Sequence, residues 1–427
     1  MFSSRYQGIL VRELLARTGD HKQKIMRRAL VIAAVGVLSL SLAACGGRRF
    51  NFPGSSQPSE SDMAGADKIF APGAEDGKAT RVALLLPLSA RGKFGRVAKS
   101  LKSAAELALF DSGNSNILLI PKDTGGTPEG ARKAASEALA DGAEIILGPL
   151  FAGSVTSAGA VSRARNVPVI GFSTTTSVAG NGVYLLSMTP QEEVGRIVDY
   201  TMKRGKSRFG ALIPKGGYGD VVLSAFQRAV QSRGGKVIAV ERYAPNAGSM
   251  TAPVANISRL AKGSNPKIDT ILLAEGEPLL RSLAPLLPYN NVDIKRVKLI
   301  GTGLWGNPAI ASEPALHGGW FPGGDPANRR NFERRYKEVY GTRPVAIAAL
   351  AYDAVKLASR LAVDAPPGQR FTRERLENPQ GFTGVNGLFR FNASGRPEHG
   401  LSILEVTSNG FRVIESGRNH FGSGLAF

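Results

Sequence analysis

The sequence predicts an α/β protein made of two interleaved, doubly wound lobes joined by a multi-stranded hinge. Three observations carry that expectation. From Arg81 onward, short and almost wholly apolar runs alternate with helical stretches, the pattern of parallel strands covered on both faces by crossover helices. These units fall into two sets that meet at Thr189-Pro190. The last helical stretches come after the second set and return most naturally to the first lobe, so neither lobe is one continuous block.

In the first set, strands are expected at residues 82–86, 117–120, 144–147 and 167–170. Helices between them are expected at 94–110, 128–140 and 154–165, with stops such as Asp111-Ser112-Gly113 and Asp141-Gly142. The second set has a helix running to Arg204, strands at 209–213, 236–240, 270–273 and 297–300, and helices at 220–232, 253–261 and 277–286. An irregular passage over 301–326 leads to helices at 328–340 and 345–361. The chain closes with a strand at 385–391, a turn at 392–396 and strands at 402–406 and 411–414. The expected division is lobe 1 from 80–188 and 301–362, and lobe 2 from 189–300 and 363–427.

The amino-terminal region has a different character. Residues 29–44 form an apolar run after Met26-Arg27-Arg28, which ends at Leu42-Ala43-Ala44-Cys45-Gly46. A charged start, an apolar stretch shorter than the roughly 20 residues of a spanning helix, and small residues before the break make an export signal. The cysteine places it in the lipoprotein class. Cys45, the only cysteine, cannot pair within the chain and would take the lipid as the new amino terminus. The prelude of 25 residues is long for a signal, so translation can equally start at Met26. Residues 45–79, rich in Gly, Ser, Pro and Asp, read as a flexible tether.

The formal charge of +20 falls to +15 once residues 1–44 are removed. Lys and Arg are scattered and not interleaved with aromatics, so nucleic acid is not the expected partner. Attraction to anionic head groups or an acidic wall polymer is the simpler account.

Several motifs suggest chemistry and lack its context. Gly301-Thr302-Gly303-Leu304-Trp305-Gly306 has the spacing of a dinucleotide loop and follows a strand, but Asn307-Pro308 comes next and no acid stands at a following strand end. It reads as a hinge or cleft loop in which Trp305 stacks on a ligand or packs. Gly171-Phe172-Ser173-Thr174-Thr175 lacks the closing glycine of a nucleophile elbow. His317, His399 and His420 have no ligand spacing, and Cys45 is committed to lipid. No enzyme, metal or cofactor is therefore expected.

A further set of segments stands in a recognisable order: Val82-Ala83-Leu84-Leu85-Leu86-Pro87-Leu88-Ser89, Asp123-Thr124, Ile146-Leu147-Gly148-Pro149-Leu150, Val167-Pro168-Val169-Ile170-Gly171-Phe172-Ser173, Tyr352-Asp353-Ala354 and Gly384-Val385-Asn386-Gly387-Leu388-Phe389-Arg390-Phe391. In these residues the chain resembles the type I periplasmic binding fold of the leucine/isoleucine/valine-binding proteins, and within it the lipoprotein activators of penicillin-binding proteins. The resemblance implies a ligand cleft between lobes, at the carboxyl ends of the strands. Cleft residues are then Ser154, Ser173 and Thr174 from one lobe, with Tyr218, Glu275 and Trp305 from the other. Ser154 serves equally as a helix cap. Leu185-Leu186-Ser187-Met188-Thr189 stands where transport proteins of this fold tend to carry an Arg, which weakens a free amino-acid reading.

The implied function is a non-catalytic periplasmic lipoprotein that regulates peptidoglycan synthesis by contacting a penicillin-binding protein or peptidoglycan itself. The alternative is a substrate-binding lipoprotein of an ABC importer for branched-chain amino acids or related small ligands. Gly46, not Asp, follows Cys45, which points to the periplasmic face of the outer membrane, with the inner membrane as the alternative.

Overall fold

A computed structural model of the chain describes residues 68–71, 79–113, 116–363 and 365–422. The expected export signal, Cys45 and most of the expected 45–79 tether lie outside the described residues.

In chain order the first elements are β1 (Ile69–Phe70), β2 (Thr80–Leu86), α1 (Gly92–Asp111), β3 (Ile117–Asp123), α2 (Pro128–Ala140), β4 (Ile145–Leu147), α3 (Ala152–Arg163), β5 (Val169–Gly171) and β6 (Val183–Leu185). The strands form one sheet in the order β1-β3-β2-β4-β5-β6, parallel throughout except for β1. Both faces are covered, which is why Val82 to Leu86 are wholly buried whichever way they point. On one face α1 presents Ala98, Leu101, Ala105 and Leu109, spaced three or four apart as one helical stripe. On the other lie α2 and α3. The Thr127 hydroxyl accepts the Gly130 N–H to cap α2, whose Pro128 needs no partner in the first turn.

The second lobe comprises α4 (Pro190–Lys203), β7 (Arg208–Pro214), α5 (Gly217–Ser232), β8 (Lys236–Tyr243), α6 (Thr251–Ala261), β9 (Thr270–Leu273), α7 (Leu280–Leu283), α8 (Leu286–Tyr289), β10 (Lys298–Gly301) and β11 (Trp320–Gly323). The chain then runs through α9 (Pro326–Tyr340), α10 (Ala348–Val363), α11 (Arg373–Leu376), β12 (Phe382–Gly384), β13 (Gly387–Phe391), β14 (Pro397–His399), β15 (Ser402–Thr407) and β16 (Gly410–Glu415). The second sheet has the order β16-β15-β11-β10-β9-β7-β8, and β12-β13-β14 make a small antiparallel sheet of their own. The doubly wound α/β architecture is thus present in both lobes.

The observed division differs from the expected one in two places. Residues 301–323 belong with lobe 2, because β11 pairs with β10 and β15. Its glycines and Pro322 concealed it as a strand. Conversely, Phe371, Leu376, Phe382, Phe389 and Phe391 share a core with Leu101, Leu109 and α10, so residues 365–399 belong with lobe 1 and only β15 and β16 return to lobe 2. The expected strand at 385–391 is instead a hairpin turn at Val385-Asn386 followed by β13. The expected helix at 277–286 is broken into α7 and α8, with Pro285 and Pro288 in the sequence between and within them.

Three crossings join the lobes: β6 to α4, β11 to α9, and β14 to β15. A capping box fixes the first, with Glu192 accepting the Thr189 N–H and Thr189 accepting the Glu192 N–H. Glu192 also accepts the backbone N–H of His399 at 2.9 Å. One turn on, Arg196 donates to the Leu401 carbonyl at 2.9 Å and pairs with Glu415. The first and third crossings are therefore bonded to the same helix. At the second, Gly324 lies so close to Asn386 that a side chain there would meet its backbone.

Candidate functional site

Strand order reverses between β2 and β4 in lobe 1, and between β7 and β9 in lobe 2. At such reversals the loops leaving the strands diverge and open a crevice at the carboxyl edge of the sheet. Both carboxyl edges adjoin the hinge. β6 leaves lobe 1 from that edge into α4, and Glu193 of α4 accepts the N–H of Gly303, just beyond the carboxyl end of β10, at 3.1 Å.

In lobe 1 the crevice carries an aromatic pair. Phe94 is 52% exposed, and its ring packs edge-on against Phe151, centroid to centroid 5.3 Å. Beside it, Asp123 at the end of β3 accepts the backbone N–H groups of Ser89 (3.2 Å) and Gly125 (2.9 Å). Burial works against its charge, but hydrogen bonds from Ser89, Gly125 and Leu88 outweigh that and hold the carboxyl below its ordinary value.

Of the expected lobe-1 residues, Thr174 is exposed on the loop after β5. Ser173 is buried, and its hydroxyl accepts the Thr175 N–H at 3.1 Å as ordinary turn chemistry. Ser154 is buried and donates to the Thr127 carbonyl at 3.2 Å. It lies inside the first turn of α3, whose N-cap is Phe151, so it does not cap the helix.

In lobe 2 the structure brings Tyr218 and Glu275 to the same crevice. The Tyr218 hydroxyl lies 2.8 Å from Thr302 Oγ1. Glu275 accepts the Tyr243 hydroxyl at 3.0 Å and its neighbour's N–H, that of Gly276, at 3.1 Å. Burial, followed for Tyr243 by the Glu275 carboxylate, pushes both phenols well above their ordinary range, so both are protonated. Leu304, 46% exposed, packs over Gly276 and gives this wall an apolar edge.

Trp305 is not a cleft residue. It is fully buried, donates its Nε1 hydrogen to the Leu273 carbonyl at 3.2 Å and packs on Phe321. The ring occupies the space beside Gly301 and Gly319, where a Cβ would collide with it, and at Gly303 a Cβ would collide with Glu193. Phe94, Phe151, Tyr243 and Leu304 were not singled out from sequence. For Phe151 and Leu304 the available signal was a large apolar residue just past a strand end, where polar loop residues are usual, whereas Phe94 lies in the first turn of α1 and reads as an ordinary helix residue.

Two buried acids flank the hinge. Among the described residues Glu193 accepts the Gly303 N–H alone, and burial pushes its carboxyl up to about 7. Asp353 of α10 accepts the Val385 N–H at 2.9 Å and is likewise pushed by burial to about 7. Near both, His399 sets its Nδ1 3.2 Å from Glu192 and its Nε2 3.2 Å from the Leu186 carbonyl. Among the described residues no group of three His, Cys, Asp or Glu is placed to hold a metal ion, and no helix is long and apolar enough to cross a membrane.

A family model described as periplasmic binding protein matches residues 79–411. An uncharacterized protein of Rickettsia prowazekii (strain Madrid E) is 26% identical over 228 residues, which make up 52% of this chain and 60% of that protein. A crystal structure from Rhodospirillum rubrum, assigned to a branched-chain amino acid ABC transporter, is 20% identical with a TM-score of 0.69, over 79% of this chain and 100% of that one. The solute-binding protein of an ABC transporter from Rhodopseudomonas palustris BisB5, solved with 3,4-dihydroxybenzoic acid, is 18% identical with a TM-score of 0.60, over 80% and 97%. A leucine-binding protein from Thermotoga maritima MSB8 is 16% identical with a TM-score of 0.56, over 79% and 99%.

Proposed function

The chain belongs to the periplasmic binding protein family, and from that premise we propose that it is a non-catalytic solute-binding protein that captures a small, partly apolar ligand between its lobes for an ABC importer. The observation that carries the reading is the pairing of two strand-order reversals on the hinge side. One offers the Phe94–Phe151 rings, the other Glu275, Tyr218 and Leu304. Apolar walls with a few convergent polar groups are what a small-molecule site requires. A ligand with an apolar body would lie on the Phe rings and Leu304, and a donor group would meet Glu275. Solved neighbours of this fold bind leucine or 3,4-dihydroxybenzoic acid by their descriptions, so branched-chain amino acids and aromatic acids are the first ligands to try. Lipid on Cys45 would hold the protein at a membrane surface, the outer membrane by the Gly46 criterion.

A thermal-shift titration against leucine, isoleucine, benzoate and 3,4-dihydroxybenzoate tests the reading, because a ligand that binds only the folded chain raises its melting temperature by mass action. A saturable shift that Phe151→Ala and Glu275→Gln abolish is the expected result. Silence across the panel, with an authentic binder responding alongside, would remove it.

A second reading, a lipid-anchored regulator that contacts a penicillin-binding protein or peptidoglycan, is favoured by one feature. The hydroxyls of Ser154, Ser173 and Tyr218 are all engaged inside the protein, which leaves fewer polar groups for a solute. Stoichiometric pull-down of a penicillin-binding protein in the absence of any solute is its test.

A further inference from the structure

We infer that the free edge of β12 is a docking site for an extended acidic peptide segment of a partner protein. The surface lies on the α10 side of lobe 1, away from the loops that form the cleft, and the inference does not depend on what fills that cleft. Three hollows of about 310, 340 and 320 Å³ run in series there. The first two share Lys356 and Thr383, and the last two share Arg360 and Phe382, so they make one continuous groove.

β12 forms one wall of this groove and is paired on one side only. Thr383 stands opposite Leu388 in the ladder. The Leu388 carbonyl accepts the Gly400 N–H on the far side, at 2.8 Å, so the backbone of Leu388 faces β14. In an antiparallel pair, opposed residues turn their polar groups both inward or both outward. The N–H and C=O of Thr383 therefore point out into the groove. The next N–H on that side, Val385, is taken by Asp353, whereas Thr383 is exposed and has no partner among the described residues.

The groove is lined by cations whose charge is poorly matched within the protein. Lys356 donates to the backbone carbonyl of Asp111 and Arg375 to that of Leu361. Arg360 is exposed and makes no ion pair among the described residues, and only Arg335 meets a carboxylate, that of Asp111. Two acids border the groove: Asp353, turned inward onto Val385, and Glu374 at the far end. An edge offering one N–H and one C=O, with cations spaced along a helix beside it, matches a strand whose acidic side chains alternate toward α10.

The test is fluorescence anisotropy of a labelled nonapeptide alternating Glu with Thr, titrated with the purified protein. Three comparison probes accompany it: the same peptide with Lys for Glu, the same peptide N-methylated at alternate backbone nitrogens, and dextran sulfate as competitor. Saturable binding of the Glu peptide is expected, lost with the Lys peptide and weakened at least roughly fivefold by N-methylation. Arg360→Glu, a surface change that leaves the core alone, and Lys356→Glu should each weaken it by roughly tenfold. Thr383→Pro, which removes the outward N–H, should weaken it where Thr383→Val does not. No binding of the Glu peptide would overturn the inference. So would equal binding of the N-methylated peptide together with full competition by dextran sulfate, which would mean charge attraction without strand pairing.

Discussion

Glu193 makes a quantitative prediction about pH. Its ordinary carboxyl value of 4.5 rises to about 7 in the folded chain because burial removes water and only the Gly303 N–H replaces it. A raised carboxyl holds its proton in the folded state after the unfolded chain has released its own. The associated stability is fully present below about pH 4.5 and is lost as the pH climbs through about 7. At about 1.4 kcal/mol per unit, Glu193 alone accounts for a loss on the order of 3 kcal/mol across that window. Asp353, raised from 3.8 to about 7 for the same reason, adds a loss of similar sign. The two are not independent, since His399 interacts with both. Urea unfolding at about pH 5 and about pH 8 measures the effect. Glu193→Gln keeps an acceptor for Gly303 but cannot ionise, so it should lower the pH dependence by a large part of that amount. A variant with the wild-type slope, or a wild type that gains stability between the two pH values, would refute the assignment.

Two further outcomes follow from the packing. Thr189→Ala removes the hydroxyl that accepts the Glu192 N–H, the side-chain half of the capping box on α4, and should cost about 1 kcal/mol, seen as a lower urea midpoint at unchanged slope. Trp305→Ala empties a core site and should cost roughly 3–5 kcal/mol, whereas Trp305→Phe should leave the affinity of any cleft ligand unchanged, because the ring does not reach the cleft.

The strands that were legible in the sequence are those buried on both faces, such as β2, β3 and β7, because nothing polar interrupts them. β6 and β11 were hidden for different reasons: β6 follows β5 with no α-helix between them, so the alternation of strand and helix does not announce it, and β11 is punctuated by Pro322 and Gly323. The lobe assignment of residues 365–399 was not legible because it depends on aromatic residues meeting α1 and α10 across a long sequence distance, and periodicity reports only local order. The same limit applies to the site. Loop positions after strands were enough to single out Tyr218 and Glu275, which lie at the carboxyl ends of β7 and β9. They could not reveal that the Ser154 and Ser173 hydroxyls are spent on internal partners, or that Trp305 turns inward. A hydroxyl's use is decided by what lies within hydrogen-bond reach, which the alphabet does not record.

The bonding of two crossings to one helix has a mechanical consequence. Three independent linkers would let one lobe slide, twist and roll against the other. Here Glu192 grips His399 and Arg196 grips Leu401, so the first and third linkers behave as a single bracket, and Gly324 against Asn386 seats the second beside the hairpin tip. Such bracing favours rotation about one line, the motion of a door on a fixed post, over sliding of one lobe across the other. On the proposed role, such a bracket means that a solute between the lobes would meet walls that approach along one arc, and would not have to select one arrangement from many.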